Sequence, residues 1–200
     1  ILLAHFAPPL FPIHAALSYR LLVYWKFDDS SGTAADSTAN NNDLTNNNTT
    51  PFVAGKIGNA ADLESASLQS FSITDAAQTG LDITGDLSIC VWVKTESAIG
   101  TDIGYDIVAK WEVNPNASYR FNLQDRTNVE SIDFTASDDG NPANASNVII
   151  NTSISVGDWH FLCMVHTMST KTAEMFVDSS SVGSGVHTET TLINAAGAFE

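Results

Sequence analysis

Apolar and polar positions alternate most clearly over residues 87–94, LSICVWVK. On an extended chain Cys90 and Trp92 fall on one face, and Ile89, Val91 and Val93 on the other. Both faces are apolar or thiol, which predicts a central strand covered on both sides. The predicted partner is residues 159–166, WHFLCMVH, with Trp159, Phe161, Cys163 and Val165 on one face. Antiparallel pairing with the cysteines opposite sets Trp92 against Phe161 and Ser88 against Val165. That register puts an aromatic pair beside a sulfur pair, a favourable cross-strand arrangement.

Around this ribbon the chain alternates between short extended runs and turns. Residues 21–27, LLVYWKF, read as a first strand, with Val23, Trp25 and Phe27 on one face. The Asn-rich stretch that follows, with Asn40 to Asn42 and Asn46 to Asn48, reads as tight turns, because Asn tolerates left-handed backbone. Further strands are predicted over residues 60–68, 71–73, 107–111, 119–124, 130–134, 148–154, 173–177, 182–187 and 190–193. Turns fall at Asn114 to Asn116 and Ser169 to Lys171, and a long polar loop over 136–147. No stretch keeps a 3.6-residue period over ten residues. Short strands with turns about every ten residues predict an all-β, antiparallel two-sheet sandwich.

Residues 1–20 are apolar and carry Pro8, Pro9 and Pro12, which break helices. They read as a leader or linker outside the core. The chain begins with Ile, which fits a processed product or a fragment.

Charge narrows the function classes. The 200 residues hold 23 acidic and 8 basic side chains, net -15. A nucleic-acid or anionic-membrane partner needs a basic surface, so both are excluded as expectations. No run of 18 apolar residues predicts membrane insertion. The acidic excess leaves carboxylates for a hard cation such as calcium. In a secreted setting the two cysteines read as a disulfide, which closes a long loop; in a reducing one they read as two buried thiols.

The run LVYWKFDDSSGTAADSTANNND, followed by VAGKIGNAADLE, LDITGDLSICVWVK, IVAKW, YRFNLQ, VGDWHFLCMVHTMSTKTAEMFVD and GAFE, resembles the laminin-G-like, concanavalin A-like jelly-roll domains. The resemblance covers residues 21–200 and implies a single jelly-roll domain there. The pentraxin branch of the same superfold is similar in carrying a joined cysteine on each of these two strands, which favours a Cys90–Cys163 bridge. Two departures stand out. Ala39, Asn41 and Leu44 occupy positions where the family usually has glycines. The family also continues past the GAFE position with another strand, so the resemblance implies a domain truncated before its last strand.

The resemblance further implies a structural calcium held by Asp36 with loop carbonyls near Asn40 and Asn42; an Asx turn is the other reading of this loop. Asp138 and Asp139 beside Gly140 lack EF-hand spacing and read as a solvated loop. Tyr105, Trp111 and Tyr119 lie near predicted loops and are the candidates for a sugar-stacking platform; capping the core is their other reading. Asn48, Asn116, Asn144 and Asn151 each open an N-x-[ST] sequon. No catalytic residues are expected. His160 and His166 lie on a strand, His5, His14 and His187 in unpatterned segments, and no Ser sits in a G-x-S-x-G elbow. The E-x-D-x-x-E motif of related β-glucanases is absent, the nearest text being ESID at 130–133. The expectation is a non-catalytic extracellular or cell- or virion-surface module of a larger multidomain protein, binding glycan or a protein surface. A structural spacer in an adhesin, or a decoration module on a virion, is the alternative.

Overall fold

Cys90 and Cys163 face each other across an antiparallel ribbon and are joined, with Cα atoms 4.1 Å apart. Trp92 lies opposite Phe161 and Ser88 opposite Val165, as the pattern requires. The Trp92 and Phe161 rings pack at 5.2 Å. The computed structural model describes residues 21–30 and 32–200; residues 1–20, expected as a leader or linker and carrying His5 and His14, lie outside them. The chain divides at Leu81 into two compact units.

The unit ending at Leu81 is built from short pieces. β1 (Thr45–Asn47) pairs with β4 (Ser70–Ser72), and β2 (Phe52–Ala54) with β3 (Asn59–Ala61). Residues 21–27 do not form the expected strand: among the described residues, Trp25 and Asp36 form an isolated bridge. Phe27 takes a left-handed φ of 58°, which ends any extended run there. The segment expected as a strand over 60–68 stops at Ala61 and turns through a 3-10 helix, Ser65–Ser67. Asn41 and Asn48 take left-handed φ of 55° and 58°, the role expected of them. Leu44 is 3% exposed and bridges Ala34, so it fills the core of this unit where the family usually has glycine.

The second unit carries two four-stranded antiparallel sheets. One runs β12 (Ser180–Val186), β11 (Thr172–Val177), β10 (His160–Thr167), β5 (Leu87–Val93). The other runs β6 (Gly104–Trp111), β7 (Ala117–Asp125), β8 (Glu130–Ala136), β9 (Ser146–Asn151). β5 thus ends its strand order instead of lying between two neighbours. An apolar pattern on both faces reports cover above and below a strand, not how many neighbours it hydrogen-bonds. No strand forms over 190–193. The residues that follow return to β6, where Glu200 and Ala109 exchange backbone hydrogen bonds of 2.7 and 2.8 Å.

The core lies between the two sheets. Leu162, Met164 and His166 of β10, with Ala173 and Met175 of β11, point inward and are at most 1% exposed. Tyr119, Phe121 and Leu123 of β7 and Ile132 and Phe134 of β8 face them. The Phe134 ring meets the His166 ring at 4.9 Å. Gly185 permits close approach of the sheets, because a Cβ there would sit 2.8 Å from Val148 Cγ1. The cystine and the Trp92–Phe161 pair lie on the opposite, half-buried face of the β5–β10 ribbon.

Candidate functional site

The alternation that aims Tyr119, Phe121 and Leu123 into the core aims Ser118, Arg120, Asn122 and Gln124 to the other face of β7. Their cross-strand partners on β8 are Thr135, Asp133 and Ser131, opposite Arg120, Asn122 and Gln124. Next to these on β9 stand Asn147, Ile149 and Asn151. Asp106 of β6 lies opposite Asn122. This face of the sheet is therefore almost wholly polar, and Ser118, Asn122, Ser131, Asp133 and Thr135 on it are buried.

Two arginines reach over its floor. Arg126 donates to Asp133 Oδ2 through Nε at 3.1 Å and Nη2 at 2.6 Å. Arg120 donates from Nε to Thr135 Oγ1 at 3.4 Å and stands 3.8 Å from Asp106 Oδ1. Its guanidinium lies 4.8 Å from the Trp111 ring centroid, a cation–π contact that fixes a flat wall at one end of the face. Burial pushes the Asp106 carboxyl up, and the Arg120 charge partly offsets it. Beneath the arginines, Asn122 Oδ1 and Asp133 Oδ1 are buried acceptors to which no donor among the described residues is directed. They belong to directly opposed residues. A buried acceptor without a donor costs about 1–3 kcal/mol, so this pair calls for hydroxyl or amide donors. At the β9 end, Asn151 also lines an open polar hollow of about 490 Å³ with Asp125, Asn128, Glu130, Thr152 and Ser153.

Of the aromatic residues expected as a platform, only Trp111 belongs to this face. Tyr105 is 42% exposed on β6, but its opposite residue, Leu123, belongs to the core-facing set. Tyr119 is 1% exposed on the core face and is not a surface ligand; burial, with the Asp82 charge added, raises its hydroxyl pKa. The chain positions near turns were visible in the sequence. The face each ring takes depends on two β6 bulges, between Asp106 and Val108 and between Lys110 and Trp111, which were not.

The loop expected to hold calcium is filled by its own hydrogen bonds. Asp36 Oδ1 accepts from the backbone N–H groups of Tyr24 at 3.0 Å and Thr38 at 2.9 Å. Oδ2 accepts from the Thr38 hydroxyl at 2.8 Å and the Asn42 N–H at 3.0 Å. Burial alone would raise the Asp36 carboxyl, but these donors outweigh it and hold it low. The Asn42 carbonyl accepts from the Trp25 indole at 2.7 Å, its side chain pairs with the Thr79 backbone, and Asn40 Nδ2 donates to the Leu22 carbonyl. Asp36, Asn40 and Asn42 are thus each engaged in the hydrogen bonds of an Asx-organised turn. Asp138 and Asp139 are likewise engaged, with Thr190 and with Asn141 and Asn144.

The histidines fall into two arrangements that their sequence positions did not reveal. His160 Nδ1 lies 2.8 Å from Asp178 Oδ2, and its Nε2 lies 2.8 Å from Ser155 Oγ. This has the connectivity of a Ser–His–Asp relay, but the same hydroxyl lies 2.9 Å from Asp158 Oδ2. One hydroxyl proton serves both contacts only if the imidazole supplies its own, which makes the cluster a surface clasp between β10 and its flanking loops. His166 and His187, each 1% exposed, meet Nε2 to Nε2 at 2.8 Å in the core.

A model of the concanavalin A-like lectin/glucanases superfamily matches residues 69–199. The chain belongs to that superfamily. Among solved structures, domain 4 of AbnA, a GH43 extracellular arabinanase from Geobacillus stearothermophilus bound to arabinotriose, is 17% identical to this superfamily member. The match covers 86% of this chain and 83% of that one, with a TM-score of 0.53. The CBM40 of Ruminococcus gnavus IT-sialidase, bound to α2,3-sialyllactose, is 10% identical over 60% of this chain and 64% of its own, with a TM-score of 0.44. A heptameric SAP-like pentraxin from Limulus polyphemus is 13% identical over 60% of this chain and 53% of its own, with a TM-score of 0.41. The chain thus spans just under two thirds of the CBM40 and about half of the pentraxin. No curated protein sequence matches it. The likeness to the arabinanase domain shows the fold alone.

Proposed function

We propose that this superfamily member is a non-catalytic recognition module of an extracellular protein, binding a neutral glycan across the polar face of β6 to β9. The observation that carries the reading is the pair of opposed buried acceptors, Asn122 Oδ1 and Asp133 Oδ1, beside the Arg120–Trp111 wall. Sugar hydroxyls bond the polar side chains of this face, reaching the two buried oxygens only where the arginines above them swing aside, and the guanidinium and ring supply flat surfaces for a sugar's apolar face. A net charge of -15 and the carboxylates of Asp106 and Asp133 disfavour an anionic glycan. The arabinotriose bound to the arabinanase domain suggests arabino-oligosaccharides as the first probes. The cystine supports a location outside the reducing cytoplasm. No helix among the described residues is long and apolar enough to cross a membrane.

A glycan array run with and without a chelator tests this reading. Binding to neutral oligosaccharides is expected, unchanged by chelation, because the Asp36 oxygens are occupied by N–H and O–H donors. Loss of binding on chelation would restore a calcium role. Silence under both conditions would favour the spacer or decoration role, and hydrolysis of a β-glucan a catalytic one.

A further inference from the structure

Lys110 stands on β6 with its side chain wholly buried. Its Nζ lies 2.9 Å from Asp82 Oδ1 and donates to the Gly197 carbonyl at 3.0 Å. The Asn194 carboxamide, oriented by the groups around it, donates to the same Asp82 Oδ1 at 3.0 Å and to Oδ2 at 3.3 Å. One carboxylate oxygen therefore touches both a primary amine and the nitrogen of a primary amide. Tyr119, whose hydroxyl feels the Asp82 charge, lies opposite Lys110, and Leu192, Ala195 and Phe199 are buried on the segment that carries Asn194. Asn194 itself is exposed, which gives a released small molecule a way out.

We infer that Lys110 and Asn194 are joined by an intramolecular isopeptide bond, with Asp82 as the proton carrier. Asp82 takes a proton from the Lys110 ammonium, freeing the Nζ lone pair. That pair attacks Asn194 Cγ, and the carbonyl electrons move onto oxygen. Asp82 returns its proton to the Asn194 amide nitrogen and takes the surplus proton from Nζ. The carbonyl re-forms, the Cγ–Nδ2 bond breaks, and ammonia leaves, carrying away as ammonium the proton released from Nζ. The Nζ–Cγ amide that remains is neutral, so a buried charge is removed from the core, where an ammonium is costly. The product staples the segment around Asn194 to β6, beside the backbone pairing of Ala109 with Glu200. No oxidant or cofactor is needed.

Intact mass of the denatured, disulfide-reduced chain reads this directly. The expected mass is one ammonia, about 17 Da, below that of the sequence. A peptide map is expected to show a branched peptide joining Lys110 to Asn194. Lys110→Arg and Asn194→Ala are expected to restore the full mass; Asn194 is exposed, so its truncation leaves the core intact. Asp82→Asn is expected to leave most of the chain unlinked. An unshifted mass in folded, aged protein overturns the inference. So does a loss of ammonia that persists in Lys110→Arg, since a cyclic imide at Asn194 alone would explain it. Should Lys110→Arg fail to fold, the branched peptide in the unsubstituted protein decides.

Discussion

The His166–His187 contact has one proton to share. The Gly85 carbonyl accepts only, so His166 Nδ1, 3.1 Å away, must carry a hydrogen. His166 Nε2 is then an acceptor, and His187 Nε2 donates to it. Protonating His166 puts hydrogens on both Nε2 atoms and breaks the contact, whereas protonating His187 puts the added hydrogen on its Nδ1, a buried atom with no acceptor among the described residues. Burial lowers the His187 pKa from 6.5 to about 4, with the charges of His166 and Lys171 adding to it. Burial also lowers His166, opposed by the Gly85 hydrogen bond and the Asp86 charge. Both groups bind protons more weakly folded than unfolded, so stability rises with pH where the unfolded chain is the more protonated. Thermal melts should show a Tm that is flat above pH 6.5 and falls towards pH 4, with the fall reduced in a double His→Gln variant that still folds. A melting temperature unchanged over that range would contradict the assignment. The sequence shows two histidines 21 residues apart but not their meeting, because β10 and the end of β12 converge only through the sheet order. Asp36 was legible as a turn residue or a cation ligand; the sequence did not show its four specific donors, two of them from Tyr24 and Asn42 across the loop.

Elements were read best where both faces of a strand carried a pattern. Cys90 and Cys163 identified the β5–β10 pairing and its register because one cross-strand contact fixes all others at a period of two. The bridge spans 73 residues, so chain-entropy reasoning assigns it about 4 kcal/mol. A Cys90→Ala/Cys163→Ala variant should unfold at lower denaturant with a stability loss up to that size; an unchanged midpoint would mean the ribbon holds without it. Turns were read less well, since they depend on single backbone conformations. Gly140 takes φ 79°, and a Cβ there would fall on the Pro115 carbonyl oxygen. Gly140→Ala should therefore cost more than about 1 kcal/mol, measured by chemical denaturation, whereas Gly157→Ala, with open space around it, carries only the backbone strain of φ 84°. Residues 21–27 show the opposite failure. Their alternation reads as a strand, but the left-handed Phe27 and a single bridge leave them irregular.

At the scale of the whole molecule, the two-sheet architecture was legible from strand spacing and the absence of a helical period. The candidate site was legible only in part. Trp111 stood out as an aromatic near a turn, whereas Asn122 and Asp133 look like ordinary polar alternation until register sets them opposite each other. Their role gives the sharpest expectation. Trp111→Ala and Asn122→Ala should each weaken glycan binding about tenfold, a loss of about 1.4 kcal/mol, by titration calorimetry, with Tm little changed. Tyr119→Phe should leave affinity unaltered, because that ring faces the core. The most direct measurement is a residue-resolved NMR titration of the backbone amides with a bound neutral oligosaccharide. Shifts concentrated on Asp106, Trp111, Arg120 to Gln124 and Ser131 to Thr135 are expected. Shifts confined to residues 21–81 or to the β5–β10 ribbon would contradict glycan binding there.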